Sequence, residues 1–310
     1  MKTLLLIDAN SLIHRAFHAL PPLTDSDGKP SGALYGVSST LLKLFKEEKP
    51  DYAAALFDRP EPTFRDEMYE DYKATRPKAK DELVSQIIEA RELFPKFGIK
   101  VFEAPGFEAD DLIAAMVAKF ETNPDLKIVI LTGDRDTLQL VSGEKVVVRA
   151  PKKGISDTII YDEKKVAEDF GLLPKQLIDY KALVGDQSDN IKGVPGIGPK
   201  TARDLILRFG NLEEIFEKGA SDEKIKEKIL PFKKEAFLSK KLVKLAEAAP
   251  IDVKKIEELT SSPNVPELGD YFGKLGFESL KKRLFENSAG PETATKKEKM
   301  EKPKQKNLFQ

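Results

Sequence analysis

Three aspartates stand where short apolar segments of the sequence end. Asp8 and Asp58 directly follow such segments, and Asp134 follows a third one after a Thr-Gly pair. In open α/β sheets the ligand crevice lies outside the carboxyl ends of the strands, so side chains at three strand ends converge on one place. A single aspartate after a strand is more often a turn residue or a helix N-cap. Three of them together favour a shared site.

Further carboxylates occur in three short acidic segments. They are Glu108, Asp110 and Asp111 at the start of an apolar helix, Asp136 close to Asp134, and the pair Asp186 and Asp189. Converging like charges raise one another's pKa unless cations neutralise them. With oxygen ligands, no Cys and only two His, the pattern favours Mg²⁺ or Mn²⁺ over Zn²⁺. Two such ions roughly 4 Å apart hydrolyse phosphodiesters, because one activates water and the other stabilises the leaving oxygen.

The composition excludes several other classes of site. The chain has 310 residues, with 51 Lys and Arg against 52 Asp and Glu, and its lack of Cys excludes disulfides, thiolate nucleophiles and cysteine zinc sites. No apolar run is long enough for a transmembrane span or a signal peptide. We therefore expect a soluble, cytoplasmic, monomeric protein with no membrane partner. The net charge of −1 still permits a basic surface, because segregated charges cancel in the sum.

Two regions of different periodicity must position these residues. The first half alternates apolar runs with amphipathic stretches, which is typical of an α/β domain with a mostly parallel sheet. Its predicted strands are 3–7, 53–57, 99–102, 127–131 and 145–148, and its predicted helices are 32–46, 81–97, 108–120 and a short one from Asp134. Helical spacing dominates afterwards, in 180–184, 201–209 and 232–245. We predict an α/β core at 1–160, a helical region at 161–287 and a disordered tail at 288–310.

A glycine-rich segment at 193–202 is similar to a phosphate-binding loop but is not a Walker A loop. Pro199 separates Gly198 from Lys200, and no apolar strand precedes the segment. We interpret it as a helix–hairpin–helix element, whose backbone N–H groups and following helix N-terminus hold a nucleic-acid backbone without reading bases. The alternative is a connector without a ligand. The residues predicted to contact DNA are Lys192, Gly193, Gly196, Gly198, Lys200, Thr201 and Arg203.

The segment 59–80 fits neither a strand nor a core helix. It contains few aliphatic residues and alternates cations with aromatic residues. Excursions of this length inside a compact domain are usually functional. Stacking aromatics beside phosphate-binding cations suit single-stranded nucleic acid, although a charged segment of this kind is often only a solvated face.

In chain order, the motifs are those of a known family. They are Arg-Ala-Phe-His from Arg15, Phe-Arg from Phe64, Tyr-Lys-Ala-Thr-Arg from Tyr72, Gly-Phe-Glu-Ala-Asp-Asp from Gly106, Leu-Val-Gly-Asp-Gln-Ser-Asp-Asn from Leu183, and the glycine-rich hairpin. Over about residues 1–287 the chain resembles the 5′-nuclease domain of bacterial DNA polymerase I, part of the flap endonuclease and 5′–3′ exonuclease family.

This resemblance implies both a fold and an activity. The fold is a PIN-like α/β core with a helical arch at about 59–80, followed by a helix–hairpin–helix region that binds duplex DNA and a K⁺ ion. The activity is that of a Mg²⁺-dependent, structure-specific 5′-nuclease that removes 5′ flaps or RNA primers and acts as a 5′–3′ exonuclease in replication and repair.

The resemblance also implies a set of metal ligands. The family's metal-binding carboxylates fall on Asp8, Asp58, Glu108 and Asp110 for a first ion and on Asp111, Asp136, Asp186 and Asp189 for a second, with Asp134 between them. None of these positions is substituted, which argues against a catalytically dead relative. We expect His14 and His18, which flank the first strand end, to pack or to face DNA rather than to bind metal.

Cations of the excursion complete the implied site. Tyr72, Lys73 and Arg76 match the arch positions that orient the scissile phosphate and stabilise its developing charge, and Arg15 is expected near the junction.

Two functions other than a 5′-nuclease stay open. A non-catalytic binder of branched DNA would gain nothing from massed carboxylates, and a PIN-type ribonuclease would lack the hairpin and the long arch.

The end of the chain carries a separate signal. Gln305, Leu308 and Phe309 have the spacing of the short peptide by which bacterial replication proteins bind the sliding clamp, and a flexible tail would act as a tether. The alternatives are a chance ending or the remnant of a linker that leads to a polymerase domain. We expect a stand-alone 5′-nuclease rather than a fragment of a full-length DNA polymerase I.

Overall fold

The computed structural model describes residues 1–153 and 157–288. The predicted disordered tail from residue 289 onward, with the predicted clamp-binding residues Gln305, Leu308 and Phe309, lies outside the described residues, and Ser288 is the last described residue. No helix of the described part is long and apolar enough to cross a membrane.

Six strands form the central sheet. In chain order they are β1 (Lys2–Asp8), β2 (Tyr52–Leu56), β3 (Lys100–Phe102), β4 (Leu126–Leu131), β5 (Val146–Lys153) and β6 (Asp157–Tyr161). Their spatial order is β3-β2-β1-β4-β5-β6, with the first five parallel and β6 antiparallel to β5. All five predicted strands are confirmed. The sequence pattern does not predict β6, because this edge strand buries only Tyr161 and needs no apolar run.

Alternating side chains of β1 enter two separate apolar cores. Leu4 and Leu6 belong to one core, and Leu5 and Ile7 belong to the other. Because both faces of the sheet are covered, all four side chains are fully buried and the strand reads as a continuous apolar run. Asp8 follows at the carboxyl end of β1, where the side chain no longer has to be apolar.

Thirteen α-helices are present in the described part of the chain. They are α1 (Ala9–Ala19), α2 (Gly32–Glu48), α3 (Phe64–Met68), α4 (Asp81–Lys96), α5 (Ala109–Phe120), α6 (Glu163–Phe170), α7 (Gln176–Val184), α8 (Pro199–Phe209), α9 (Leu212–Lys218), α10 (Glu223–Lys228), α11 (Lys233–Val243), α12 (Val265–Lys274) and α13 (Glu278–Ser288). The helices predicted in the first half correspond to α2, α4 and α5, whereas the short one predicted from Asp134 is a 3-10 helix, Asp136–Leu140.

Helices α1, α2 and α4 cover one face of the sheet, and the last two helices return to that face. Leu268 and Phe272 of α12 and Leu280 of α13 are fully buried in the same core as Leu5 and Ile7. By packing, α12 and α13 therefore belong to the α/β core, although they lie within the predicted helical region 161–287. The local pattern shows that a helix is amphipathic, but not which core receives its apolar face.

Helix α5 and the helical region cover the other face. One continuous core runs from Ile130 of β4 through Leu183 of α7 to Ile206 of α8. Between α7 and α8 lie two short antiparallel strands, β7 (Gly185–Asp186) and β8 (Ile191–Lys192), and then the glycine-rich loop. The helical region is thus fused to the sheet beside its carboxyl edge.

The excursion at 59–80 folds back onto that edge. Its helix, α3, begins with a capping box in which Thr63 and Asp66 satisfy each other's backbone N–H groups. Arg65 and Tyr72, which look like surface residues in the sequence, are only 1% and 5% exposed. Their burial brings the polar ends of both side chains next to the acidic segments.

Candidate active site

Five carboxylates meet where β1, β2 and β4 end. Asp8 is the last residue of β1, Asp58 follows β2, and the first turn of α5 contributes its N-cap Glu108 together with Asp110. With Asp134, which follows β4, they line a cavity of about 270 Å³. The structure therefore brings together the three aspartates at the strand ends, as the topology of a parallel sheet requires.

Hydrogen bonds from neighbouring backbone and hydroxyl groups hold two of these carboxylates, Asp8 and Asp58, in place. Asp8 accepts hydrogen bonds from the Ser11 backbone N–H at 2.9 Å and from the Thr132 hydroxyl at 2.7 Å. Asp58 accepts from the Ala109 backbone N–H at 2.7 Å, at the start of α5. The sequence motifs do not single out Ser11 or Thr132. Their only signal is a hydroxyl within three positions of a strand end.

Burial, reinforced by the charges of neighbouring carboxylates, raises the pKa values of Asp8 and Asp110. Burial, and then the charge of Asp58, raise the pKa of Asp8 to about 7, although its two hydrogen bonds oppose the rise. Burial also raises the pKa of Asp110 well above its usual range, reinforced by the charges of Asp134 and Asp8. The Oδ1 atom of Asp110 is buried and has no hydrogen-bond partner among the described residues. Such an orphaned, like-charged oxygen is suited to a cation.

A second cavity, of about 450 Å³, adjoins the first at Asp134. Asp136, Asp186 and Asp189 line this second cavity together with Lys181 of α7. The Lys181 ammonium donates to Asp186 at 2.7 Å and also pairs with Asp136. The two cavities thus divide the carboxylates into two groups that share Asp134.

Lys181 is a site residue that the sequence reasoning missed. Burial raises the pKa of Asp186, but the hydrogen bonds from Lys181 and Ser188 outweigh this effect and hold the pKa at about 2. Asp186 is therefore ionised at any working pH. The only sequence signal for Lys181 is its place near the end of a helix that leads into the Gly-Asp-Gln-Ser-Asp segment.

The excursion brings hydrogen-bond donors to the junction of the two cavities. Lys73 pairs with Glu108 and lies 3.8 Å from Asp189, and Arg76 Nη2 lies 2.5 Å from Asp189 Oδ1. The Tyr72 hydroxyl donates to Glu108 at 3.0 Å and to Asp189 at 3.2 Å. Burial and these two carboxylates raise the pKa of Tyr72, so its hydroxyl stays protonated and can only donate to them.

Backbone contacts hold this part of the excursion in an uncommon conformation. Lys73 and Asn190 both have left-handed backbones, with φ of 53° and 56°. The Lys73 backbone N–H donates to the Asp189 carbonyl at 2.9 Å, and the Asn190 amide donates to the Asp71 carbonyl at 2.8 Å. Left-handed non-glycine residues are costly and occur mainly where the surroundings fix them, often at functional sites.

The carboxylates fit hard divalent cations, although as they stand they are paired with basic side chains. Within residues 1–153 and 157–288, no three acidic or histidine side chains lie close enough together to hold one ion. Lys73 is paired with Glu108, and Lys181 is paired with Asp136. The donor atoms are nonetheless all oxygens, and the charges of Asp134 and Asp8 repel Asp110, whose buried Oδ1 has no hydrogen-bond partner among the described residues. A divalent cation would satisfy Asp110 and remove that repulsion.

Asp111 does not point into this site. Arg65 binds both of its oxygens, at 2.7 and 2.8 Å, and these oxygens also accept from the Glu108 and Ala246 backbone N–H groups at 3.1 and 2.8 Å. Asp111 is completely buried in this arrangement. Neighbouring helical residues point about 100° apart around the axis, so Asp110 faces the cavity while Asp111 faces Arg65. Each Asp111 oxygen already accepts two hydrogen bonds, so this arrangement gives no support to the prediction that Asp111 binds a metal ion.

Helix α1 carries the remaining predicted residues of the first half. His14 is exposed and lines the first cavity, and its ring centroid lies 6.5 Å from that of His18. Arg15 lies half-buried on the same helix. The placement of His14 beside Asp8 and Asp58 puts it on the open side of the carboxylates.

The glycines of the hairpin loop have different roles. A Cβ atom on Gly193 would lie 2.3 Å from the Val184 carbonyl carbon, so this glycine permits close packing against the end of α7. Gly196, with φ of 77°, and Gly198 have nothing within 4 Å of a built Cβ. Gly193 is thus needed by the fold, whereas Gly196 and Gly198 leave an open backbone surface.

Cations and a helix start surround this open surface. Gly198 is the N-cap of α8, and Pro199 begins the helix, where its missing N–H costs nothing. Lys192, Lys200 and Thr201 are exposed beside the loop, while Arg203 is half-buried with its side chain against Gly171. Exposed N–H groups and lysines of this kind suit a phosphate backbone.

Comparisons with known proteins agree with this architecture. Residues 3–171 match the model of the 5′-3′ exonuclease N-terminal resolvase-like domain, and residues 172–266 match that of the 5′-3′ exonuclease C-terminal SAM fold. The chain is 43% identical over 284 residues to DNA polymerase I of Caldicellulosiruptor bescii, covering 91% of this chain and 33% of that protein. It is 39% identical over 285 residues to a 5′-3′ exonuclease of Aquifex aeolicus, covering 92% of this chain and 96% of that protein.

A solved structure supports the fold. A flap endonuclease of bacteriophage T5, crystallised with DNA and metal ions, superposes with a TM-score of 0.66 at 23% identity over 93% of this chain and 98% of that chain. A mostly parallel α/β core with a SAM-like helical region is thus confirmed. The chain belongs to the 5′-3′ exonuclease family. It spans about a third of the length of the DNA polymerase I relatives that it matches.

Proposed function

We propose that this chain is a Mg²⁺-dependent, structure-specific 5′-nuclease that hydrolyses phosphodiester bonds of DNA. It would remove 5′ flaps or RNA primers and act as a 5′–3′ exonuclease in replication and repair. The observation that carries the proposal is the buried, unpartnered Oδ1 of Asp110 among the repelling carboxylates of Asp8, Asp58 and Asp134. A protein that only bound DNA would be weakened by such a cluster next to the phosphates.

Two divalent ions, Mg²⁺ or Mn²⁺, fit the two groups of carboxylates. One group is Asp8, Asp58, Glu108 and Asp110, the other is Asp136, Asp186 and Asp189, and Asp134 is shared. When bound, such ions lower the pKa of a water molecule and neutralise charge on a phosphate. Ser11 and Thr132 hold Asp8 in place through the hydrogen bonds described above, which limits the reorganisation needed for binding.

The cations of the excursion would act on the scissile phosphate. Lys73 and Arg76 now neutralise Glu108 and Asp189, so their charges already lie at the junction of the two cavities. With divalent ions held by those carboxylates, the two side chains would be free to turn to a phosphate and stabilise its developing charge. Tyr72 keeps its proton and positions Glu108 and Asp189 as a donor. Arg15 is proposed to contact the DNA near the junction.

The hairpin would hold duplex DNA beside the active site. The exposed loop at Gly196 and Gly198 lets a phosphate approach the backbone, and Lys192, Lys200 and Thr201 stand around it. Such contacts hold the backbone without reading the sequence, which suits an enzyme that recognises DNA structure. A K⁺ ion on the carbonyls of this loop, as the resemblance implies, is part of the proposal.

The sliding clamp is a further proposed partner, through Gln305, Leu308 and Phe309. Its support is the Gln-x-x-Leu-Phe spacing alone. The test is a titration of the tail peptide against the clamp of the same organism, with a Leu308→Ala/Phe309→Ala peptide as the control. Binding of the native peptide alone, tighter than about 100 μM, or roughly −5.5 kcal/mol, supports the contact. Equal or absent binding of both peptides contradicts it.

Cleavage of matched substrates tests the proposed function. End-labelled 5′-flap DNA, blunt duplex, single-stranded DNA and single-stranded RNA are incubated with the enzyme in Mg²⁺, in Mn²⁺ and in EDTA. The proposal expects metal-dependent cleavage of the flap near its junction, with much slower cleavage of the single strands. Tight flap binding without cleavage in either metal would instead identify a DNA-binding protein, and a preference for single-stranded RNA would identify a ribonuclease.

A further inference from the structure

Residues 242–246, which we call the strap, leave the end of α11 and cross behind the active site. Three buried side chains from the α/β core bind the backbone of this segment: Arg65, Asp111 and Gln139. We call these three residues the clamp, which is unrelated to the sliding clamp. Their exposed fractions are 1%, 0% and 7%. The proposed function uses none of the three, although burying a charged pair is costly unless every group is satisfied.

Arg65 and Asp111 bind alternate backbone groups of the strap. Arg65 Nε donates to the Leu242 carbonyl at 2.7 Å, and Arg65 Nη2 donates to the Lys244 carbonyl at 3.3 Å. Asp111 Oδ1 accepts from the Ala246 backbone N–H at 2.8 Å. The bidentate pair between Arg65 and Asp111 fixes the planes of both side chains, so these contacts have a defined direction.

Gln139 binds the residues between them. Its Nε2 atom donates to the Val243 carbonyl at 3.1 Å, and its Oε1 atom accepts from the Leu245 backbone N–H at 3.1 Å. The same Nε2 atom donates to the Asp136 carbonyl at 2.9 Å. Five consecutive strap residues thus each use one backbone group to bind the clamp, which fixes the register of the strap to a single position.

Each member of the clamp is also joined to an element that carries a proposed metal ligand. Arg65 Nη1 lies 3.4 Å from Glu108 Oε2, and Asp111 accepts from the Glu108 backbone N–H and directly follows Asp110. Gln139 lies on the 3-10 helix that begins at Asp136. The strap is therefore tied to the elements that carry the carboxylates of both cavities.

Helix α11, which leads into the strap, is also joined to the loop that is predicted to bind DNA. Ser239 of α11 donates its hydroxyl hydrogen to the Lys192 carbonyl at 2.6 Å, next to the glycine-rich segment. Ser239 is itself 4% exposed. Helix α11 therefore connects the hairpin to the clamp through rigid, buried hydrogen bonds.

We propose that Arg65, Asp111 and Gln139 are positioning residues that hold the helical region in register with the metal-binding carboxylates. Asp111 serves this clamp and not a metal ion. The inference rests on the proposed function, because it assigns the clamp a part in the same reaction. A misplacement of about 1 Å at a reacting group can lower a rate about 100-fold, so a loose strap reduces the rate without removing any ligand.

Gln139→Leu tests the positioning role, and Gln86→Leu is its matched control. Gln86 is another buried glutamine, 2% exposed, that accepts from the Ala33 backbone N–H at 2.7 Å and donates to the Glu82 carbonyl at 2.9 Å. Both variants lose buried backbone contacts and some stability. Only Gln139→Leu is expected to lower the single-turnover rate on saturating flap DNA, by about 10–100-fold. The half-saturating Mg²⁺ concentration is expected to stay at the wild-type value.

Hydrogen exchange of backbone amides tests the same variants independently of nuclease activity. The Leu245 backbone N–H should lose protection in Gln139→Leu and keep it in Gln86→Leu. If folded Gln139→Leu cleaves at the rate of Gln86→Leu, the clamp only stabilises the fold and the proposal is wrong. If wild-type protein fails to cleave in either metal, the proposed function fails separately, while exchange at Leu245 and Ala246 still tests the clamp.

Metal-induced thermal shifts test the role of Asp111. The double variant Arg65→Met/Asp111→Leu removes the buried pair without leaving a lone charge, and Asp111→Asn provides a second version should the double variant fail to fold. If Asp111 serves only the clamp, Mg²⁺ should raise the Tm of these variants by as much as it raises that of wild type. The rise for Asp110→Asn should be much smaller. If Mg²⁺ raises the Tm of the Asp111 variants as little as it raises that of Asp110→Asn, Asp111 is a metal ligand and the assignment is overturned.

Discussion

Replacing Asp110 by asparagine should stabilise the metal-free protein at neutral and alkaline pH. Burial and neighbouring carboxylates raise the pKa of Asp110 well above its usual range, so the folded protein holds a proton there that the unfolded chain releases. Stability of the metal-free protein must then fall as pH rises above the unfolded pKa of about 3.9. An asparagine side chain resembles the protonated acid in shape and does not titrate, so the variant escapes this loss.

The magnitude follows from proton linkage. A one-proton difference between the folded and unfolded states changes the free energy of unfolding by about 1.4 kcal/mol per pH unit. Burial also raises the pKa of the neighbouring Asp8, to about 7. We expect the advantage of the variant over wild type to grow from pH 5 to pH 8, by at most about 1.4 kcal/mol per pH unit, or roughly 2 °C in Tm per pH unit for a chain of this length.

Thermal unfolding in EDTA from pH 5 to pH 8 measures this effect. Asp252→Asn, at an exposed aspartate outside the site, is the control and should follow the wild-type curve. Added Mg²⁺ should reverse the order at pH 8, because it stabilises wild type more than Asp110→Asn. If Asp110→Asn is less stable than wild type in EDTA at pH 8, or has the same pH dependence, the carboxylates do not repel one another and the argument for a cation site is refuted.

Three other predictions concern the excursion and the hairpin. Lys73→Ala should lower the single-turnover rate by up to about 10²–10³-fold, as for loss of one transition-state donor; a defect confined to DNA affinity would contradict this role. Lys200→Glu should weaken duplex binding for all sequences alike and reduce the salt slope by about one phosphate, whereas an unchanged slope would remove Lys200 from the interface. Gly193→Ala should lower the melting temperature, because the added Cβ would collide with backbone atoms of the end of α7. Gly198→Ala should keep the wild-type melting temperature but bind DNA more weakly. Equal melting temperatures for the two variants would contradict the division of roles.

Much of the site follows from the sequence because the strands that carry it are locally encoded. Apolar runs buried on both faces identify β1, β2 and β4, and the parallel topology then places Asp8, Asp58 and Asp134 at one edge. No contact between distant residues has to be known for that step. The same is true of the turn before α8, where Gly198 and Pro199 begin the helix by local preference.

The parts that the sequence does not predict depend on long-range packing. Asp110 and Asp111 are adjacent acids, and only Arg65, which lies on the excursion, distinguishes a site residue from a buried ion-pair partner. Lys181 looks like the solvated end of a helix until the fold brings Asp136 beside it. Likewise, the periodicity of α12 and α13 cannot show that their apolar faces pack against the core that contains Leu5 and Ile7.

The central claim is that the carboxylates hold metal ions for phosphodiester hydrolysis and do not hold DNA. Its most direct test compares wild type with Asp134→Ala, at the residue shared by the two cavities, on one labelled 5′-flap duplex with Mg²⁺ and with EDTA. The account predicts cleavage near the junction by wild type in Mg²⁺ only, and for Asp134→Ala equal or tighter flap binding with no cleavage. An Asp134→Ala protein that binds the flap poorly yet cleaves at the wild-type rate when saturated would contradict it.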